Sequence, residues 1–547
     1  MAMYARLIKH KKYLVVIFCI VIFIAYDSGN LFRNIASLMH SNSPLVVRYF
    51  KIFFLILIAA VSYYSIACCI FSQSWVLRIL GIVLYSAGVV NKFTFDVSGS
   101  FLDAVILNVA IQERFSAHNF ISSNWKLIVY IITYSIVIIS LFIAIKIKLS
   151  FSYSNKLAIN LLMMAIIANI FLATYTDGRR SAFYGYNAVI ESAKAISTTK
   201  IPYAKRANVA AIECTQCPDI IFYIIDESVN YEALVAIKSI LLQESVIRKK
   251  LRTPVFIFKG YSAGNHSSVS NYILRLAVGK SAYPDNAYAT LRFPSIFSYA
   301  KASHYKTVFY DAQQENNRLQ NLMSQYDLVD IDYFITSSAS SDRYNRDMLA
   351  LERLRGFIDQ AAPNNKIFIL LVKEGVHFPY VNSIPSHLIT ELPEDCQSPD
   401  TSFSSQKTLC KKAQYEAALR FSVDQFMEKL FSMLVNRNFA LIYTSDHGQN
   451  LSSKYSLPHG SLQNTSQCEI SVPIFIAGNL FRDAIQNSEI KSHFQIPPTL
   501  LHILGHTLEE PEKGTTLWNE WCSGSEFLYE PFGHDSQWRE PVENCIY

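Results

Sequence analysis

Two hydrophobic patterns divide the chain. In its first third, Lys12–Tyr26, Val47–Phe71, Trp75–Phe93, Leu127–Ile145 and Leu157–Tyr175 are long apolar runs with almost no charge. A bilayer core of about 30 Å is crossed by a helix of roughly 20 such residues. The pattern therefore predicts an α-helical transmembrane domain of about five helices over residues 1–175. The first run is the shortest, and Arg6, Lys9, Lys11 and Lys12 before it also suit a signal peptide; no small-residue cleavage site follows clearly, which favours a retained helix. Between the third and fourth runs, Phe101–Ala117 carries apolar residues at helical intervals, as a helix lying on the membrane surface would.

From 176 to 217 the chain is polar and basic, with no sustained strand pattern, and reads as a bridging connector. Short apolar, β-branched runs follow: Asp219–Ile225, Pro254–Phe258, Lys306–Tyr310, Lys366–Val372, Phe439–Tyr443 and Ser471–Ala477. Helical patterns such as Ala413–Asn436 separate some of them. That alternation predicts an α/β domain with a mainly parallel sheet over residues 218–547.

Charge orients the first domain. The N-terminal basic cluster and Lys146, Lys148 and Lys156 fall on one side of five spans, which the positive-inside rule makes cytoplasmic; Arg48 and Lys51 on the other side weaken this without reversing it. An odd number of spans then exports the second domain. The cysteines agree: Cys19, Cys68 and Cys69 lie in apolar runs, and seven others lie in the exported part. Cys214 with Cys217, Cys396 with Cys410 and Cys522 with Cys545 suit disulfides of an oxidising compartment, leaving Cys468 over. A redox or zinc Cys-x-x-Cys is the alternative for the first pair, but that pair precedes a strand rather than opening a helix. A net charge of +6, spread along the chain, leaves no nucleic-acid footprint.

Candidate chemistry gathers where strands end. The first strand runs into Asp226-Glu227-Ser228, the Lys366–Val372 strand into Lys373-Glu374-Gly375-Val376-His377, and the Phe439–Tyr443 strand into Thr444-Ser445-Asp446-His447. In open α/β sheets ligands bind beyond the carboxyl ends of the strands. Any one of these residues is more often a cap or turn former, but together Glu227, His377, Asp446 and His447 form a candidate metal site. Oxygen and imidazole donors suit zinc, with manganese the second choice. After the second strand, Gly264-Asn265-His266-Ser267-Ser268 suits a tight turn opening a helix over Val269–Leu276, which would place a hydroxyl and free backbone N–H groups near the metal. Asn108 and Gln112, four apart on one face of the surface helix, are candidate headgroup contacts.

These residues resemble the membrane-bound phosphoethanolamine transferases of Gram-negative bacteria, whose soluble part has the alkaline-phosphatase/sulfatase fold. The resemblance implies that Glu227, Asp446 and His447 bind zinc, that Ser267, three residues after Gly264, is the nucleophile and a further metal ligand, and that His377 and His459 lie near the phosphoryl group. It also implies a disulfide-bracketed loop from Cys396 to Cys410 and places Asn108 near the lipid headgroup. Departures are a serine for the usual threonine, Ser270-Asn271-Tyr272-Ile273 for a Ser-Val-Pro-Cys run, and Gln449-Asn450 where an acidic residue is common.

The activity so implied is transfer of phosphoethanolamine from phosphatidylethanolamine to lipid A, a lipopolysaccharide core or another envelope glycan. It would take place at the bacterial inner membrane, in the periplasm, through a covalent intermediate on serine, with Ser268 the near alternative to Ser267. Transfer of another headgroup, such as glycerophosphate, and a non-catalytic lipid-binding role are the competing readings.

Overall fold

The computed structural model describes residues 44–98, 132–145, 152–175, 182–198, 201–338, 342–398, 405–451, 458–460, 465–481 and 490–507, with scattered positions elsewhere. The chain divides into two compact units, residues 1–201 and 202–547.

In the first unit, Leu45–Ile70, Trp75–Thr94 and Asn155–Leu172 are helices long and apolar enough to cross a membrane, and Ile132–Ile145 is a shorter apolar helix. The described residues thus carry three candidate spans rather than five; most of Lys12–Tyr26 lies outside them. Polar side chains tie the helices where lipid offers no hydrogen bonds. Asn169 donates to Ser62 Oγ at 2.7 Å and accepts from the Phe183 backbone N–H at 2.7 Å.

The segment read as an irregular connector contains a helix, Tyr184–Thr198. Its polar composition hides it, because close packing rather than a broad apolar stripe holds it in place. A Cβ on Gly185 would meet the Leu84 carbonyl oxygen at 1.8 Å, and Asn187 donates to Asn91 Oδ1 and to the Leu102 carbonyl.

The second unit is built on an eight-stranded sheet of order β4-β3-β5-β1-β6-β7-β2-β8. Its strands are β1 Ile220–Asp226, β2 Val255–Tyr261, β3 Lys306–Glu315, β4 Tyr333–Ser337, β5 Ile367–Val372, β6 Phe439–Ser445, β7 Ser471–Gly478 and β8 Ile490–Ser492. All neighbours pair in parallel except β7, which runs against β6 and β2. Successive strand side chains point to opposite faces. Ile220, Phe222 and Ile224 accordingly join one buried apolar layer, and Ile221, Tyr223 and Ile225 the other. A sheet covered on both faces needs apolar residues at every position, so β1, β5 and β6 read as continuous runs.

Three disulfides are present among the described residues: Cys214–Cys217, Cys396–Cys410 and Cys468–Cys545. The last corrects the expected Cys522–Cys545 pairing. Cys468 is buried on a short helix before β7, a proximity that spacing along the chain does not reveal.

Candidate metal centre and active site

Strand register builds the centre. β1 pairs with β6 so that Asp226 lies opposite Ser445, and with β5 so that Ile225 lies opposite Val372. The residues that follow β1 and β6 therefore emerge level with each other at the middle of the sheet. Glu227, Asp446 and His447 form one buried cluster whose ligand atoms lie within 4.8 Å of one another. His447 Nε2 is 3.5 Å from Glu227 Oε1 and 3.6 Å from Asp446 Oδ2. Two glycines permit the close approach. A Cβ at Gly448 would sit 2.2 Å from the Cys468 carbonyl oxygen, and Gly375, at φ +57°, would bring one 2.5 Å from Asp226 Oδ1.

Asp446 Oδ1 accepts from the backbone N–H groups of Ser228 (3.0 Å) and His447 (2.7 Å), whereas its buried Oδ2 has no hydrogen-bond partner. A buried carboxylate oxygen left unpaired is costly, and beside a second carboxylate and an imidazole it fits a divalent cation. The donor set suits a metal on chemical grounds as well. His447 Nδ1 donates to the Gly448 carbonyl at 2.9 Å, which leaves Nε2 facing the cluster.

Ser267 opens the helix Ser267–Arg275, two residues earlier than the apolar pattern indicated. Its Oγ donates to Glu227 Oε2 at 3.1 Å and lies 3.3 Å from His447 Nε2. His459 packs against His447 with ring centroids 4.0 Å apart and the planes tilted by 34°, and its Nδ1 donates to Gln449 Oε1. His377 Nδ1 donates to the Phe378 carbonyl at 2.7 Å, and this imidazole lies near enough to act on Glu227. All three histidines thus direct Nδ1 to a fixed acceptor, leaving Nε2 for other work. Asn108 and Gln112 lie outside the described residues.

Electrostatics separate the two carboxylates. Burial opposes ionisation of Glu227, but His447 and His377, with the hydrogen bond from Ser228, hold its carboxyl below the usual range. Burial, then the charge of Glu227, pushes Asp446 well above it. Burial lowers His447 despite Glu227, and lowers His459 strongly with help from His447, His377 and His266. A bound cation would favour the ionised carboxylates and neutral imidazoles that ligation needs.

Several participants were not evident from sequence. Ser228, in the left-handed region at φ +64°, turns the chain sharply after β1 and donates from Oγ to Glu227 Oε1 at 2.6 Å. Gln313 donates from Nε2 to Glu227 Oε2 at 3.0 Å. Beneath them Lys373, wholly buried, pairs with Asp226 Oδ2 and donates to the Ser422 carbonyl at 2.7 Å. The position of Lys373 directly after an apolar strand was the one available signal for that pair.

A sulfatase family model matches residues 220–506. The chain is 25% identical over 289 residues to the Kdo(2)-lipid A phosphoethanolamine 7''-transferase of Salmonella typhimurium, covering 48% of each protein. It thus spans about half the length of that curated relative. Among solved structures it is similar to the integral membrane lipooligosaccharide phosphoethanolamine transferase A (EptA) of Neisseria meningitidis. That match has 14% identity and a TM-score of 0.58, over 89% of this chain and 95% of that one. It is also similar to the C-terminal periplasmic domain of EcEptC from Escherichia coli in complex with Zn, at 16% identity and TM-score 0.47, over 58% of this chain and 94% of that one. The strand-end cluster of Glu227, Asp446 and His447, the mainly parallel sheet and the family match over more than half of the chain converge: the chain belongs to the sulfatase family.

Proposed function

We propose that this chain is a zinc-dependent transferase that moves phosphoethanolamine from phosphatidylethanolamine to a glycolipid or glycan acceptor of the bacterial envelope. Its first unit would be held in the inner membrane and its second would lie in the periplasm. The observation that carries the reading is the position of Ser267 Oγ, at a helix start, 3.1 Å from Glu227 and 3.3 Å from His447. Sequence similarity to the Salmonella typhimurium transferase supports the choice of group.

Glu227, Asp446 and His447 would hold the ion, with Ser267 completing the set. Zinc held there would lower the pKa of a bound hydroxyl and offset charge on phosphoryl oxygens. Ser267 Oγ attacks phosphorus, the bond to the diacylglycerol oxygen breaks, and phosphoethanolamine stays on the serine. An acceptor hydroxyl then displaces it and restores Ser267. His377 and His459, with Nδ1 already committed, offer Nε2 to steady the transferring phosphoryl oxygens and to carry the proton of the departing oxygen. Backbone N–H groups at the start of the Ser267–Arg275 helix favour the same negative charge.

Mass spectrometry of envelope glycolipids and glycans from cells with and without the chain tests this directly. A gain of one phosphoethanolamine unit, carrying label fed as phosphatidylethanolamine, is expected. Label arriving only from phosphatidylglycerol would replace this reading with glycerophosphate transfer.

A further inference from the structure

Glu227 is held by more than its own backbone. Its Oε1 accepts from Ser228, and its Oε2 accepts from Gln313 Nε2. Gln313 belongs to the last turnings of β3, where pairing with β4 shifts register between Asp311 and Glu315. Such irregularities re-aim side chains beside active sites. Here the shift accompanies a side chain that reaches across β5 to the end of β1.

The hydrogen bonds leave the amide one orientation. Gln313 Nε2 has two hydrogens, one for Glu227 Oε2 and one for the Lys373 carbonyl at 2.9 Å. Its Oε1 accepts from Gln320 Nε2 at 2.8 Å. Gln320 spends its other hydrogen on Asp311, at 3.1 and 3.0 Å from the two oxygens, and accepts on Oε1 from Gln314. The Lys373 carbonyl can only accept, which turns Nε2 of Gln313 toward it and toward Glu227; Gln320, braced against Asp311, donates to Gln313 Oε1 and holds that orientation, so Gln313 presents a donor to Glu227.

We infer that Asp311, Gln320 and Gln313 form a positioning relay that sets the Glu227 carboxylate for metal binding, an inference that rests on the metal centre of the proposed function. A glutamate side chain is rich in rotamers, and tying one oxygen in advance removes that freedom before the ion arrives. The donor is an amide for a reason. A lysine or arginine there would hold Glu227 as firmly but would repel the cation; a neutral N–H steadies the carboxylate without competing. Outer partners of this kind typically change metal affinity by about 10–100-fold when removed.

The test is a zinc titration of the full chain in detergent, stripped of metal and read by competition with a chromophoric chelator, without substrate. Gln313→Met, which keeps length but cannot donate, should weaken zinc binding by about 10–100-fold, with thermal unfolding of the zinc-free protein unchanged. Gln320→Met should also weaken it, and Gln313→Met/Gln320→Met should be no weaker than Gln313→Met alone, because Gln320 acts only through Gln313. Unchanged affinity in Gln313→Met, or a double variant showing the product of the two single losses, overturns the relay. If Gln313→Met does not fold, Gln320→Met decides: wild-type affinity overturns the relay, and weakened affinity supports it. An unaltered chain that binds no zinc overturns both relay and transferase. One that binds zinc without transferring phosphoethanolamine sinks only the transferase, and the double-variant comparison still decides the relay.

Discussion

Asp446 divides its labour between two oxygens, one saturated by backbone donors and one left bare in the interior. The division gives a sharp expectation for substitutions around the centre. Asp446→Ala or Glu227→Ala should remove both bound metal and activity. Ser267→Ala should keep most of the metal, measured by elemental analysis, while transfer falls by at least about 10³-fold, as losses of a nucleophile do. Ser268 is buried on the same helix, so Ser268→Ala should stay within about tenfold of wild type if Ser267 is the nucleophile. A phosphoethanolamine adduct mapped to Ser268 would reverse the assignment.

A second residue-scale expectation concerns acid. His493 is buried, accepts on Nδ1 from the Ala263 N–H and meets Thr444 Oγ1 with Nε2, and burial pushes its pKa down to about 3. An unfolded chain takes up this proton near pH 6.5, whereas the folded one resists until about 3. The histidine's contribution is therefore complete above pH 6.5 and is lost as pH falls toward 3. His493→Gln should show a shallower loss of thermal stability between pH 6.5 and 5 than wild type. Parallel curves would refute it.

Glu227, Asp446 and His447 follow apolar strands directly, so pattern alone placed them on one edge. Gln313 lies beyond the apolar part of β3, on an irregularity that no period describes, and nothing local ties it to Glu227.

Among the elements, the buried strands were the readable ones. β1, β5 and β6 begin within a residue of the apolar runs that announced them, because burial on both faces leaves little room for polar positions; β2, β3 and β7 begin as closely, but β3 runs on past Tyr310 through polar residues to Glu315. β4 and β8 escaped notice: Tyr333 is exposed at the sheet edge, and Ile490–Ser492 is only three residues long. The helix expected over Ala413–Asn436 is interrupted by a π-helical turn, Arg420–Gln425, which gives Lys373 the Ser422 carbonyl. Such turns gather at functional sites. Lys373→Met would leave Asp226 buried without its counter-charge, a loss of about 3–5 kcal/mol. Adding Asp226→Asn should recover part of it, as read by denaturant unfolding; equal loss in single and double variants would refute the pairing. Gly448→Ala drives a methyl group into a backbone carbonyl and should cost at least about 1–3 kcal/mol.

Across the whole molecule, hydropathy distinguished the two units but not their joint. The unit boundary falls inside the segment read as a connector, whose Tyr184–Thr198 helix belongs to the first unit and whose Arg206 pairs with Asp327 of the second unit at 2.6 Å. Local pattern cannot report partners so far away in sequence. A phosphatase reporter fused after Ala182 should be active and one fused at Ser152 silent; the opposite result would place the second unit in the cytoplasm. Non-reducing peptide mapping should recover Cys468 linked to Cys545.

The register of β1 with β6 has a consequence in time. The candidate metal cluster joins Glu227 to Asp446 and His447, and the hydrogen bond from the Ser228 N–H to Asp446 beside it spans 218 positions; such distant pairings form late because a long loop must close first. During synthesis Glu227 emerges early, yet its partners arrive only after β6 has followed. A half-made chain therefore cannot assemble the centre, and whatever chemistry the cluster supports stays silent until most of the protein is in place.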